Sequence, residues 1–183
     1  IRMIWAWGGE GDEKLGMWNL LKFSMQMALV LVLGSALASA SICKKILGSI
    51  ASLAKNKMSA IVVTTVVSTL CCWLNWGFGL IVGALLAKEV ARRVRDVDYP
   101  LLIASAYSGF VIWHAGLSGS IPLALGGKGY EVAATGQTFI AQTSETIFHP
   151  MNLVMCLIIL VAMPFVNYAM HPDKDHTITV DPA

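Results

Sequence analysis

No acidic side chain interrupts any of the long apolar runs of this sequence; its aspartates and glutamates sit at the ends of those runs or in the polar stretches between them. The runs therefore lack the paired carboxylates of general acid–base chemistry, and the buried carboxylate through which a membrane carrier commonly relays protons. Charge of either sign is scarce. Of the 183 residues 13% are charged and 56% are hydrophobic, against about 25% charged in an average soluble domain. That excludes a soluble domain and predicts an all-α integral membrane protein. The net charge of +2 gives no reason to expect nucleic acid, because the basic residues cluster at the ends of apolar runs, where topology accounts for them. Cys43, Cys71, Cys72 and Cys156 lack metal-ligand spacing and read as small buried hydrophobes, so no metal is assigned. The sequence opens on Ile1 with no recognisable cleavable signal. It is expected to be a piece of something longer, or one half of a repeat protein.

What is present in quantity is apolar sequence, and its longest run, from Met58 to Ala87, contains no charge. A bilayer core of about 30 Å takes roughly 20 helical residues, and this run is half as long again. Trp73-Leu74-Asn75-Trp76-Gly77-Phe78-Gly79 interrupts it in the middle. Lys44, Lys45, Lys55 and Lys57 precede the run; Lys88, Arg92, Arg93 and Arg95 follow it. Lys and Arg near membrane ends mark the cytoplasmic side. A single crossing would leave one basic cluster outside, so a re-entrant hairpin over 58–90 is the reading the charges favour.

Residues 1–17 form an extramembrane lead-in, with Trp5, Trp7 and Trp18 at interfacial depth. The first span covers about 18–40. Asn19, Lys22 and Gln26 share one face near its start, and Lys22 is placed to snorkel to the interface. Ser41 to Lys57 reads as a basic loop with room for a short surface helix. Thr64, Thr65, Ser68 and Thr69 on the first hairpin leg are expected to bond back to their own helix carbonyls. Gly79, Gly83 and Ala87, four apart on the second leg, form a small-residue seam for close packing. Asp98 and Pro100 open the next span, capping it and occupying its first turn. From 99 to 125 this span is again too long and too interrupted for one plain helix. An unwound middle around His114-Ala115-Gly116-Leu117-Ser118-Gly119 is predicted, with a second half-helix from Ser120. Gly126 to Phe148 is a polar loop; 150–170 is the last span, kinked at Pro164; 172–183 is a polar tail.

Non-helical backbone at membrane depth is tolerated only where protein or a water-filled cavity surrounds it. Each break presents the start of a half-helix, whose free N–H groups and partial positive charge favour an anion by ~0.3–2 kcal/mol, while opposed carbonyl ends can coordinate a small cation. The candidate substrate-binding residues are Asn75, Gly77, Gly79, His114, Ser118, Gly119 and Ser120. Asn75 either orients a carboxylate or caps the second leg. His114 either meets the anion or a proton, or bonds a carbonyl freed by the break. Ser118 and Ser120 can donate to an anion while capping their half-helix. Trp73, Trp76, Phe78 and Trp113 are expected to wall the cavity. Apolar walls with a few anion-binding donors suit a small carboxylate with a short alkyl tail.

Trp18-Asn19-Leu20-Leu21, Met25-Gln26-Met27-Ala28-Leu29, Asn75-Trp76-Gly77-Phe78-Gly79, Lys88-Glu89-Val90-Ala91-Arg92-Arg93-Val94, Asp98-Tyr99-Pro100-Leu101-Leu102-Ile103-Ala104 and Ser118-Gly119-Ser120-Ile121-Pro122-Leu123 together resemble the bacterial short-chain fatty acid transporter family. The resemblance runs in order from Trp18 to Pro172. It implies a permease for butyrate- and acetoacetate-like monocarboxylates in the inner membrane, of the ion-transporter superfamily. Such proteins are built from inverted repeats, each with a re-entrant hairpin and a broken helix. Asn75 to Gly79 would then be the hairpin tip and Gly116 to Pro122 the broken-helix loop. Family members are longer than this chain, so a second repeat is expected to complete the carrier. A homodimer fits the resemblance, and coupling to Na⁺ or H⁺ is left unassigned. His114-Ala115-Gly116 stands where the family pattern leads one to expect a small, glycine-rich stretch.

Two rival readings remain from sequence. Gly116-Leu117-Ser118-Gly119 matches the Gly-x-Ser-Gly of rhomboid intramembrane serine proteases, which need a histidine within reach of the serine. The other rival is a channel lined by a re-entrant pore loop.

Overall fold

The computed structural model describes residues 19–127, 130–132 and 136–180. The lead-in over 1–17, with Trp5, Trp7 and Trp18, lies outside the described residues, as does the side chain of Lys22. Helix α1 (Asn19–Ser39) is followed by α2 (Ser41–Ala51), and the two are bent by 74°. The stretch expected as a basic loop is thus largely helical.

Helix α3 (Lys57–Leu74) starts at a reciprocal cap. Asn56 Oδ1 accepts from Ser59 N at 2.8 Å, and Ser59 Oγ accepts from Asn56 N at 3.0 Å. Helix α4 (Trp76–Arg93) follows after Asn75 alone. That one extended residue closes the first helix and opens the second. Its N–H donates to the Cys71 carbonyl at 2.9 Å, its carbonyl accepts from Gly79 N at 2.8 Å, and its Oδ1 accepts from Phe78 N at 3.0 Å. The tip is therefore shorter than the sequence suggests: Gly77, Phe78 and Gly79 are helical. Glycine reads as a breaker along a chain, but here its missing side chain serves packing. A Cβ on Gly79 would lie 2.4 Å from the Cys72 backbone nitrogen, so α3 and α4 touch at backbone distance. The Gly79, Gly83 and Ala87 seam is buried throughout, as its spacing predicts.

Helix α5 (Tyr99–Ser108) is capped by Asp98, whose Oδ1 accepts from Leu101 N at 2.8 Å, with Pro100 in the first turn. It tightens into a 3₁₀ segment over Gly109–Ala115, turns through 116–119, and restarts as α6 (Ser120–Gly127). The polar loop beyond holds two short antiparallel strands, β1 (Tyr130–Val132) and β2 (Gln137–Phe139), and α7 (Thr143–Ile147). Helix α8 (Pro150–Ala169) runs unbroken through Pro164. The tail is more ordered than its polarity suggests: Ile178 N donates to Asp98 Oδ2 at 2.9 Å, and Tyr99 N donates to the Ile178 carbonyl at 2.8 Å.

Among the described residues three helical stretches are long and apolar enough to cross a membrane: Lys57–Leu74, Tyr99–Leu123 and Pro150–Ala169; α1 with α2 makes a fourth if that bent pair is one span. The chain is a multi-pass membrane protein. The core joins α2, α3, α4 and α5 around Ile61, Leu86, Val90 and Leu102. A smaller cluster of Cys72, Ile112 and Cys156 lies towards the breaks. The hairpin puts Lys57 and Arg93 at one end of the bundle, the guanidinium of Arg93 lies beside Gly48 of α2, and the tail meets Asp98 there. Both basic clusters and the tail therefore share one end.

Candidate functional site

The two breaks meet. Trp76 N, the first donor of α4, donates to Ser118 Oγ at 3.0 Å. Leu117 N donates to the Trp73 carbonyl at 2.8 Å, and a Cβ on Gly116 would lie 2.3 Å from that carbonyl oxygen. Trp113 Nε1 donates to the Ser118 carbonyl at 3.3 Å, holding the loop from its own side. The Trp76–Ser118 and Leu117–Trp73 bonds join residues some forty positions apart in the chain and make one structure of the hairpin tip and the broken-helix loop.

Each sequence-predicted residue takes a definite place. Asn75 caps α4 through Phe78 N, the plainer of its two readings. Ser118 accepts from α4 rather than capping its own half-helix, so it stitches the breaks. Gly77 and Gly79 are buried; a Cβ on Gly77 would lie 2.4 Å from Val30 Cγ1 of α1. Gly119 is buried under the His114 carbonyl. Ser120 is exposed at the start of α6. His114 is exposed and stacks on Trp113, with ring centroids 4.2 Å apart; no carbonyl freed by the break accepts from it among the described residues.

The first turn of α4 has three N–H groups beyond its cap. Ser118 takes that of Trp76 and Asn75 that of Phe78, while Gly77 N–H has no acceptor among the described residues. At the start of α6 the N–H groups of Ser120 and Ile121 are likewise free, Pro122 contributes none, and Leu123 N bonds the Gly119 carbonyl at 3.2 Å. Both half-helix starts thus keep donors without an acceptor among the described residues.

Beside these breaks an open apolar groove of about 240 Å³ lies on the outer face, lined by Thr69, Leu70 and Trp73 of α3, Ile112 of the 3₁₀ segment, and Leu153, Cys156, Leu157 and Leu160 of α8. Of the four aromatic walls expected from sequence, Trp73 alone lines it. Trp76 and Trp113 instead pack on each other and on Phe110, and Phe78 packs against the main core.

Two amides hold positions that sequence pattern does not single out. Asn152 Nδ2 donates to the Ala115 carbonyl at 3.1 Å and the Ile147 carbonyl at 2.8 Å, tying the end of the 3₁₀ segment to α7. Asn167 Nδ2 donates to Thr65 Oγ1 at 3.0 Å and Ser108 Oγ at 2.8 Å, joining α8 to α3 and α5. Their partners lie far along the chain, where periodicity carries no signal. The hydroxyls of α3 also depart from expectation. Thr69 alone of the four bonds back within its helix, to the Thr65 carbonyl at 2.7 Å, while Ser68 donates across to the Ala106 carbonyl.

The serine protease constellation is not assembled. Ser118 faces a backbone donor, His149 Nδ1 caps α8 by accepting from Met151 N, and His171 sits beside Asp98.

These features define a helical membrane protein with two discontinuities brought together at one end of the bundle. A family model described as short chain fatty acid transporter matches residues 1–183, and the chain belongs to that family, one of transporters rather than enzymes. A protein of Haemophilus influenzae strain Rd, provisionally named a short-chain fatty acid transporter, is 42% identical over 187 aligned residues, covering 100% of this chain and 40% of its own length. A protein of Escherichia coli K12 with the same provisional name is 42% identical over 182 residues, with the same shares. The chain thus spans about two fifths of the length of these curated relatives. No solved structure matches it at the same stringency.

Proposed function

We propose that this chain forms part of a secondary transporter that carries short-chain monocarboxylates, such as butyrate and acetoacetate, across the bacterial inner membrane. The observation that carries the reading is the stitched pair of breaks, with Trp76 N on Ser118 Oγ and Leu117 N on the Trp73 carbonyl. The carboxylate binds at the free N–H groups of Gly77, Ser120 and Ile121, where two half-helix starts add their partial charges. Asn75, Ser118 and Gly119 hold that geometry, Gly79 lets the legs close, and Ser120 adds a hydroxyl donor. His114, exposed beside Trp113, borders the site. The alkyl tail enters the neighbouring groove. At about 240 Å³ it is smaller than the roughly 300–1,000 Å³ of pockets for drug-sized ligands, which suits a short chain. A hairpin that enters and returns keeps both basic clusters at one face, whether or not its tip reaches the far side. A second repeat elsewhere in the whole protein completes the carrier.

The test is uptake of labelled butyrate by the whole protein in proteoliposomes. Uptake should saturate and be competed by other short carboxylates, whereas flux rising without saturation would favour a channel. Ser120→Ala should raise the apparent KM while leaving the melting temperature unchanged. Asn75→Ala should raise KM and lower stability together, because the same amide caps α4. Wild-type KM in both variants would remove these residues from the site.

A further inference from the structure

Helix α2 takes no part in the breaks, yet its sides differ sharply in chemistry. Val30 of α1 lies against Gly77 and Ile81 against Gly34, so α1 runs in the same direction as α4 and arrives at the end of the bundle that holds both basic clusters. There the chain turns by 74° into α2, which lies across that end instead of continuing the direction of α1. At about 100° per residue, Leu47 and Ile50 fall on one side of α2, Ile42 and Ile46 on the next, Lys45 on the third and Lys44 on the fourth. The first side packs into the core. Ile42 and Ile46 are 70% and 53% exposed, and both lysines are exposed. Passing round the helix therefore leads from protein to bare apolar side chains, and from these to cations. A helix lying in a bilayer surface has this order of sides: apolar groups towards the acyl chains, then cations among the headgroups and towards water.

Gly48 follows the two lysines by three and four positions, so they flank it on the helix surface. Its missing side chain leaves room for Arg93 of α4, whose Nη2 would lie 3.6 Å from a Cβ placed there. Three cations thus gather around one glycine. The ammonium groups of Lys44 and Lys45 meet no carboxylate among the described residues, while Glu89 takes Arg93 at 3.5 Å and is shared with Arg92 at 3.8 Å. Like charges held together repel, and an anion set between them relieves that repulsion. A phosphate diester fits the group, which offers it one guanidinium fork and two ammonium point charges. Ile42 and Ile46 decide which phosphate. A free ion or a soluble acidic protein would leave them in water, whereas a phospholipid brings acyl chains together with its headgroup.

We infer that Lys44, Lys45 and Arg93 around Gly48 form a headgroup site for an anionic phospholipid of the bilayer, with Ile42 and Ile46 resting on its acyl chains. The site stands at the opposite end of the bundle from the breaks, and its occupancy is read without reference to transport.

The experiment is thermal unfolding of the whole purified protein in detergent micelles that contain phosphatidylglycerol or phosphatidylcholine. Phosphatidylglycerol should raise the unfolding temperature in a dose-dependent way, and phosphatidylcholine or inorganic phosphate should not. Lys44→Gln, Lys45→Gln and Arg93→Gln should each raise the half-saturating phosphatidylglycerol fraction about fivefold, and Lys44→Arg or Lys45→Arg should leave it unchanged. All three side chains are exposed, so these variants should fold. Gly48→Glu sets a carboxylate among the cations. In phosphatidylcholine it should unfold above Gly48→Gln, its uncharged counterpart, and it should respond less to phosphatidylglycerol. In phosphatidylglycerol bilayers a nitroxide at Ile46 should be relaxed by oxygen and one at Lys44 by a water-soluble nickel chelate. Equal shifts in the two lipids, an equal shift in inorganic phosphate alone, or equal unfolding temperatures for Gly48→Glu and Gly48→Gln would each overturn the proposal. So would equal accessibility of the two nitroxides, the result expected of a face that meets a soluble acidic protein or a second copy of this chain.

Discussion

At the residue scale the glycines of the hairpin separate into those facing backbone and those facing a movable side chain. The Cβ of Gly79→Ala would press on the Cys72 backbone nitrogen at 2.4 Å, and the backbone of α3 cannot step aside alone. Overpacking of this kind typically costs about 1–3 kcal/mol, and Gly79→Ala should fall at the upper end. Gly34→Ala meets the terminal Cδ1 of Ile81 at the same nominal distance, but that atom can swing to another rotamer. Thermal unfolding of both variants should show a large loss for Gly79→Ala and a small one for Gly34→Ala; equal losses would contradict a backbone contact between the legs. The groove proposed for the alkyl tail is tested at the same scale. Each buried methylene contributes about 0.8 kcal/mol, so the apparent KM should fall roughly fourfold per added carbon until the groove fills. Cys156→Trp, which fills the groove from α8, should flatten that dependence in competition assays while leaving acetate little affected.

At the element scale, what could be read in the sequence was what is decided locally. The Asp98 cap, Pro100 in the first turn of α5, the restart of α6 at Ser120 and the seam of α4 all depend on neighbours within a few positions, and all are present. Where the outcome depends on a partner far along the chain, sequence pattern fails. Ser68 turns to α5 rather than to its own carbonyls, and Asn152 and Asn167 find partners 37 and 102 positions away. The hairpin tip is shorter than sequence pattern suggests for a related reason: glycine's permissiveness and its small size look alike in sequence, and only the neighbouring helix tells which is in use. Likewise Ser118 was legible as a polar group at the break, but not as the acceptor for Trp76. The tail offers an element-scale test. Asp98 holds α5 with one oxygen and residue 178 with the other. Asp98→Ala should remove about 1 kcal/mol of capping and release the tail, seen as faster amide exchange at Ile178 and Tyr99. Unchanged exchange at both amides would mean that the carboxylate does not hold the tail.

At the scale of the whole molecule, the antiparallel legs make a statement about sidedness. Cysteines introduced at Lys45 and Arg93 should react with an impermeant maleimide from the same face of the membrane. Labelling from opposite faces would break the bundle described here. The outward face of α8, with Val154, Ile158, Val161 and Phe165 exposed, is apolar along its length. It is a face for lipid or for further protein.

The bond between the hairpin tip and the broken-helix loop also constrains how a solute can be let go. Opening the pocket by parting these two elements would uncover the Trp76 amide and the Trp73 carbonyl together, in surroundings with little water to receive them. Displacing both as one piece leaves each bond intact. In the proposed carrier, that motion would keep the cargo between the same two walls and change only the side to which they open.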